Sequence, residues 1–199
     1  FSAGHDLKEI LLLKKKSKYK ELFNLCSKLM LEIIEGKKPV IAKVHGAAFA
    51  AGCQLVASCD LAYASSSAKF ATPGVNIGLF CSTPMVAISR NLSNKHSMEM
   101  LLTGDMISAQ KAKDIGLINN YVEVEELEST VMQLAQMIAS KPSLTIATGK
   151  KAFYEQANMS LSKAYEYTSE VMKSNVLTED AKEGISAFIE KRSPNWKEE

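Results

Sequence analysis

With 46% hydrophobic and 23% charged side chains, the 199-residue chain has ordinary globular composition, not that of disordered, collagenous or membrane-embedded sequence. At this length about 70% of the unfolded chain's surface can be buried, so a hydrophobic core needs no metal or disulfide staple. Twenty-four basic against 22 acidic residues give a net charge of +2. No block of like charge exceeds Lys14-Lys15-Lys16, a weak argument against nucleic acid and anionic membranes as partners.

Phe1-Ser2-Ala3-Gly4 reads as a strand end entering a turn, and Asp6 precedes a first helical turn, Leu7 to Ile10. A basic loop is expected at 14–18. Leu22, Leu25, Leu29 and Ile33 then recur at helical spacing, predicting an amphipathic helix over 19–35 stopped by Gly36. A buried strand is predicted from Pro39 to Val44 and a turn at His45-Gly46. The small residues from Ala47 to Gly52 become helical through Gln54-Leu55-Val56-Ala57. Further strands are expected at 60–64 and 69–71, a turn at Thr72-Pro73-Gly74, and helix after Gly78. Ser108 is a natural N-cap for a helix to Ile115, with Gly116 as its stop and a strand at Leu117-Ile118. From Glu125 on, four helices are predicted, at 125–139, 142–156, 160–174 and 178–192, the last capped by Thr178. The chain thus divides into an α/β core at 1–124 and a helical region at 125–199.

Cys26, Cys53, Cys59 and Cys81 form no C-x-x-C pair, so reduced intracellular thiols are expected. No apolar run approaches the ~20 residues of a membrane span. With Phe1 in first place and no leader ahead of it, the chain reads as one whose start, including any targeting signal, has been removed. His45 and His96 lack metal-ligand spacing with any Cys, Asp or Glu, so no metal site is expected.

Two glycine-punctuated turns carry the chemistry, Ser2-Ala3-Gly4-His5-Asp6 and Ala50-Ala51-Gly52-Cys53. Both can present unobstructed backbone N–H groups, the second where a strand hands over to a helix. Two such amides converging on one point stabilise a developing oxyanion.

These turns, with Lys38-Pro39-Val40-Ile41-Ala42-Lys43-Val44-His45-Gly46, Cys59-Asp60-Leu61-Ala62, Phe70-Ala71-Thr72-Pro73, Asn76-Ile77-Gly78-Leu79 and Glu183 to Arg192, closely resemble the crotonase (enoyl-CoA hydratase/isomerase) superfamily along essentially the whole chain. The resemblance implies a ββα spiral core lacking its first strands, a C-terminal helical trimerisation region, and assembly as a homotrimer or dimer of trimers. It implies an acyl-CoA thioester as ligand in fatty-acid metabolism, coenzyme A entering only as part of the substrate, and a mitochondrial location. Ala3 and Ala51 would supply the oxyanion-hole amides. Ala3, Gly4, His5 and Asp6 would lie along the adenine and pantetheine, and Phe188 and Lys191 would help hold the acyl-CoA.

The departures point away from hydration. The two glutamates with which hydratases of this family activate water fall at Gln54 and Gly74, neither of which is a base. The carboxylates of a dienoyl-CoA isomerase are also replaced, at Gln54 and Ser82. His5 resembles a histidine found in a few decarboxylases of the family, and Cys81 would lie near the thioester as a small buried hydrophobe. The expected protein binds acyl-CoA thioesters without ordinary hydratase activity. The alternatives are an active lyase, decarboxylase or isomerase of the same family, or a non-enzymatic regulatory trimer. Hydration is expected to rise on the double substitution Gln54→Glu with Gly74→Glu.

Overall fold

A computed structural model describes residues 1–197. The described residues divide into two compact units, one of residues 1–34 and 40–132, the other of residues 35–39 and 133–197. The helical region therefore separates several residues beyond the expected boundary at 124, and a short segment after the first long helix joins it.

The first unit opens with α1 (Leu7–Leu12), N-capped by the Asp6 carboxylate, which accepts from the Lys8 N–H at 2.8 Å. The following helix, α2, spans Lys16–Glu35 and so begins inside the predicted basic loop. Lysine is a good helix former, and the Lys18–Glu21 pair at 2.7 Å supports the first turn. Gly36 stays out of the left-handed region that a glycine helix stop would use.

β1 (Ile41–Val44), β3 (Leu61–Ser65) and β6 (Asn120–Val122) form one three-stranded parallel sheet with β3 in the centre. β2 (Ala48–Phe49), β4 (Lys69–Ala71) and β5 (Ile107–Ser108) form a second, in which β4 pairs parallel with β2 and antiparallel with β5. The predicted strand at Leu117-Ile118 is displaced to Asn120–Val122. Gly116 at φ 87° ends α6 (Ala109–Asp114), and the Leu117 and Ile118 N–H groups turn back to the Ala112 carbonyl. Both side chains are buried, but their amides finish a helix instead of starting a ladder.

Small residues set the spacing of this core. Ala42, Ala48, Ala62, Ala64, Ala68 and Ala112 are buried with Val44, Phe70 and Ile88, so α3 (Ala51–Ser58) packs closely on α4 (Ser82–Asn91). Asn91 Nδ2 donates to the Ala57 carbonyl at 2.8 Å and ties the end of α4 to α3. The 3₁₀ turn Pro73–Ile77 ends at Gly78 in the left-handed conformation, and Thr72 Oγ1 donates to the Met100 carbonyl of α5 (Asn94–Thr103) at 2.8 Å.

α7 (Leu127–Ala139) follows, and the second unit continues through α8 (Ser143–Gln156), α9 (Leu161–Val176) and α10 (Glu179–Ile189). The Thr178 hydroxyl caps α10 as expected, accepting from the Ala181 N–H at 3.2 Å. The chain after α10 folds back on that helix. The Trp196 ring lies over Gly184, where a Cβ would approach it to 3.2 Å, and its indole N–H donates to the Ser140 carbonyl at 3.0 Å. Asp180 Oδ1 accepts from the Lys197 N–H at 3.0 Å, and Glu183 Oε1 accepts from the Asn195 N–H at 2.8 Å.

Arg192 donates to both Glu183 oxygens, at 2.6 and 3.0 Å, and holds that carboxyl down at about 2. A carboxylate depressed in the fold contributes stability above its unfolded pKa of about 4.3 and loses it as pH falls towards the folded value. Trp196 is the single tryptophan of the chain. Its emission is therefore expected to shift to the red between about pH 4.3 and about 2 as the tail releases. In Glu183→Gln the red-shifted emission should already be present at neutral pH.

Candidate active site

The first unit contains a cavity of about 500 Å³ lined by four segments. The Ala3–Ile10 segment gives Ala3, His5, Leu7 and Ile10, and α2 gives Phe23. The entrance to α3 gives Ala50 and Ala51. The stretch from Pro73 to Pro84 gives Gly74, Asn76, Ile77, Leu79, Phe80, Cys81 and Thr83 among others. The wall is mainly apolar.

The two glycine turns meet here. Ser2 N–H donates to the Ala47 carbonyl at 2.9 Å and Phe49 N–H donates to the Ser2 carbonyl at 2.8 Å, so the first turn is laced to the start of β2. A Cβ at Gly4, where φ is +94°, would sit 3.1 Å from Ala50 Cβ and 3.2 Å from Ala51 N. Only a residue without a side chain allows that approach at that backbone angle. Ala51 is the first residue of α3, so its N–H has no partner within the helix. Among the described residues, neither the Ala3 nor the Ala51 N–H donates to the protein.

Ala50 is the strained member of this group, at φ 48° and ψ −116°. An alanine there costs of the order of 1–3 kcal/mol. Its N–H donates to the Ala71 carbonyl at 3.0 Å and its carbonyl accepts from Gln54 N–H at 3.0 Å, which hold the residue in place. Ala50→Gly is expected to stabilise the protein by about 1 kcal/mol, raising Tm by about 2–4 °C in a thermal melt, because glycine reaches this conformation freely.

Of the residues singled out in the sequence, Ala3, His5, Ala51 and Gly74 are brought together on the cavity wall. Gly4 lies between the two turns, and Asp6 caps α1. Gln54 is buried at 4% exposure, outside the lining, with its side-chain oxygen accepting from Cys26 Sγ at 3.9 Å. Phe188 is 86% exposed on α10 and Lys191 follows that helix at φ 55°, both in the second unit and outside this lining.

Gly74 has little room for any side chain. A Cβ there would run into the Leu79 carbonyl oxygen and approach Cys81 Sγ to 2.9 Å. Cys53, buried behind the entrance of α3, has its thiol pushed up to about 12, chiefly by desolvation. His5 packs edge-on against Phe23 with ring centroids 5.6 Å apart. Sequence reading missed Phe23, Ile77, Leu79 and Phe80 as lining residues; their signal is an apolar side chain left half in solvent, which periodicity does not report.

The site is thus an apolar cavity bordered by a helix entrance with unpaired amides. Comparison with known proteins gives the family. The enoyl-CoA hydratase/isomerase family model matches residues 1–199. The human mitochondrial enoyl-CoA hydratase domain-containing protein 3 is 49% identical over 199 residues, all of this chain and 66% of that protein's length. The mitochondrial enoyl-CoA hydratase of Pongo abelii is 37% identical over 200 residues, 100% of this chain and 68% of that protein. Among solved structures, an enoyl-CoA hydratase of Mycobacterium smegmatis superposes with a TM-score of 0.97 at 47% identity, over 98% of this chain and 76% of that one. The crystal structure of the human domain-containing protein 3 gives 0.96 at 49% identity, over 98% and 78%.

The chain belongs to the enoyl-CoA hydratase/isomerase family and has the crotonase fold. It spans 66% of the length of the human relative and 65% of the rat one.

Proposed function

We propose that this protein binds acyl-CoA thioesters, with the carbonyl oxygen accepting from the Ala3 and Ala51 N–H groups and the acyl chain in the apolar cavity, and that it does not hydrate enoyl-CoA at ordinary rates. The observation that carries this reading is the pairing of two amides without protein partners beside one cavity. Charge developing on a thioester oxygen is stabilised by such fixed donors more than the neutral carbonyl is. The α3 N-terminus adds a partial positive charge at the same point.

No aspartate or glutamate is among the residues lining the cavity. Hydration needs a group to take a proton from water and one to protonate carbon, and amide polarisation replaces neither. His5 on the wall favours a second reading, a lyase or decarboxylase in which the amides hold an enolate and the imidazole returns the proton. Following the relatives, we place the protein in mitochondria. We also infer an assembly of several copies, supported by Phe188, Ile189, Tyr165 and Met172 of α9 and α10, which are 66–86% exposed.

Calorimetry with free CoA, acetyl-CoA and a longer enoyl-CoA, run beside turnover assays with enoyl and malonyl-type thioesters, tests the proposal. Thioesters should bind more tightly than free CoA, with hydration slow or absent. Consumption of the malonyl-type thioester, lost in His5→Gln, selects the lyase reading. Equal affinity for free CoA and every thioester overturns both. Ala51→Pro is a poor probe, since the residue before a proline cannot keep the backbone angles of Ala50.

A further inference from the structure

We propose that the rim of the cavity is a docking surface for an anionic lipid bilayer. The inference stands on charge and exposure around the opening and is independent of the chemistry inside it. One side of the rim is α1, which buries none of its residues. Leu7 lines the cavity at 49% exposure, while Leu11 and Leu12 are 79% and 73% exposed. The other side is formed by Ile77, Leu79 and Phe80, at 56%, 50% and 44% exposure, around the left-handed Gly78. Large apolar side chains grouped at one opening, not scattered, mark an interaction surface.

The lysines on α1 and in the stretch that follows it along the chain specify the partner. Between Leu7 and Lys20 there are six lysines, Lys8, Lys14, Lys15, Lys16, Lys18 and Lys20, against the single glutamate Glu9, in a chain whose whole net charge is +2. The chain-wide balance conceals this stretch. Lys18 pairs with Glu21, whereas Lys8, Lys14, Lys15, Lys16 and Lys20 have no carboxylate partner among the described residues. All six are exposed.

A soluble polyanion would neutralise these lysines and leave Leu11 and Leu12 in water. An anionic bilayer satisfies both at once, with ammonium groups at the phosphates and leucines in the interface. Bound this way, the cavity opening lies at the level of the lipid headgroups.

The test is co-sedimentation of the full chain with vesicles of phosphatidylcholine and phosphatidylserine, and with vesicles of phosphatidylcholine alone. Binding to the mixed vesicles only, weakened by salt, is expected. Lys14→Glu with Lys15→Glu and Lys16→Glu should lower that affinity by about 100-fold or more, and the three arginine variants should keep it. Leu11→Ser with Leu12→Ser should lower it by about tenfold. These side chains are exposed, so unchanged melting of the variants is the folding control. Absence of binding, equal binding to both vesicle types, or indifference to the lysine reversal overturns the proposal. So does full binding by the leucine variant, which would point to a polyanion such as RNA or an acidic protein.

Discussion

Gly52→Ala is expected to lower Tm by about 6–12 °C, corresponding to about 3 kcal/mol, the upper end of the overpacking range. The new methyl would fall on the Ser2 carbonyl, with Ser2 C and Cβ each at 2.8 Å. Ser2 cannot slide away, because its N–H is bonded to the Ala47 carbonyl and its own carbonyl to the Phe49 N–H. The strain must move α3 off the first turn, which separates Ala3 from Ala51, so acyl-CoA affinity should fall with stability. Gly149→Ala is the contrasting control. Nothing lies within 4 Å of a Cβ there, and the site is inside α8, so a gain of about 0.5–1 kcal/mol is expected. Thermal melts of the two variants against the parent measure both effects. A Gly52→Ala protein as stable as its parent would contradict the close packing of α3 on the Ser2 backbone.

The second large effect is catalytic. Under the proposed function, hydration of a 2-enoyl-CoA is slowed by about 10²–10⁴-fold for each of the two acid/base groups that Gln54 and Gly74 are read as replacing. The structure also alters the expectation that glutamates restore it. Gly74→Glu has to displace the Leu79 backbone, and Gln54→Glu puts a carboxylate at a position 4% exposed beside Cys26. Burial raises the pKa of such a carboxylate and costs stability. The double variant should therefore melt below the parent and remain inactive, in contrast to the gain expected from sequence. Loss of the enoyl absorbance at an ordinary hydratase rate, with the unaltered protein, would overturn the proposed function.

The alternation of strand and helix, the four C-terminal helices and the caps at Ser108 and Thr178 were legible in sequence, because each has a local cause: periodicity, or a short polar side chain beside a helix start. The two glycine turns were legible for the same reason. Other features depend on distant neighbours. Nothing in the alanine-rich string 47–51 announces that Ala50 alone takes a positive φ, since tertiary bonds to Ala71 and Gln54 hold it there. The closed surroundings of Gly74 come from the Leu79 carbonyl, placed by the turn through Gly78. Gln54 reads as a site residue by its place in the motif. Its side chain instead meets Cys26 across a sequence separation that no local pattern carries. The meeting of Leu7 with Ile77, Leu79 and Phe80 at one opening, with Leu11 and Leu12 exposed on the same helix as Leu7, is likewise visible only once the fold is formed.

Recognition of a thioester carbonyl by the Ala3 and Ala51 amides is most directly tested by calorimetry with two ligands that differ only there, an acyl-CoA and the S-alkyl-CoA thioether of the same chain length. Both present the same nucleotide and the same apolar tail, and only one offers an oxygen to the two N–H groups. Two neutral hydrogen bonds at about 0.5–1.5 kcal/mol each predict that the thioester binds about 5- to 150-fold more tightly. Equal affinity of thioester and thioether would contradict the account.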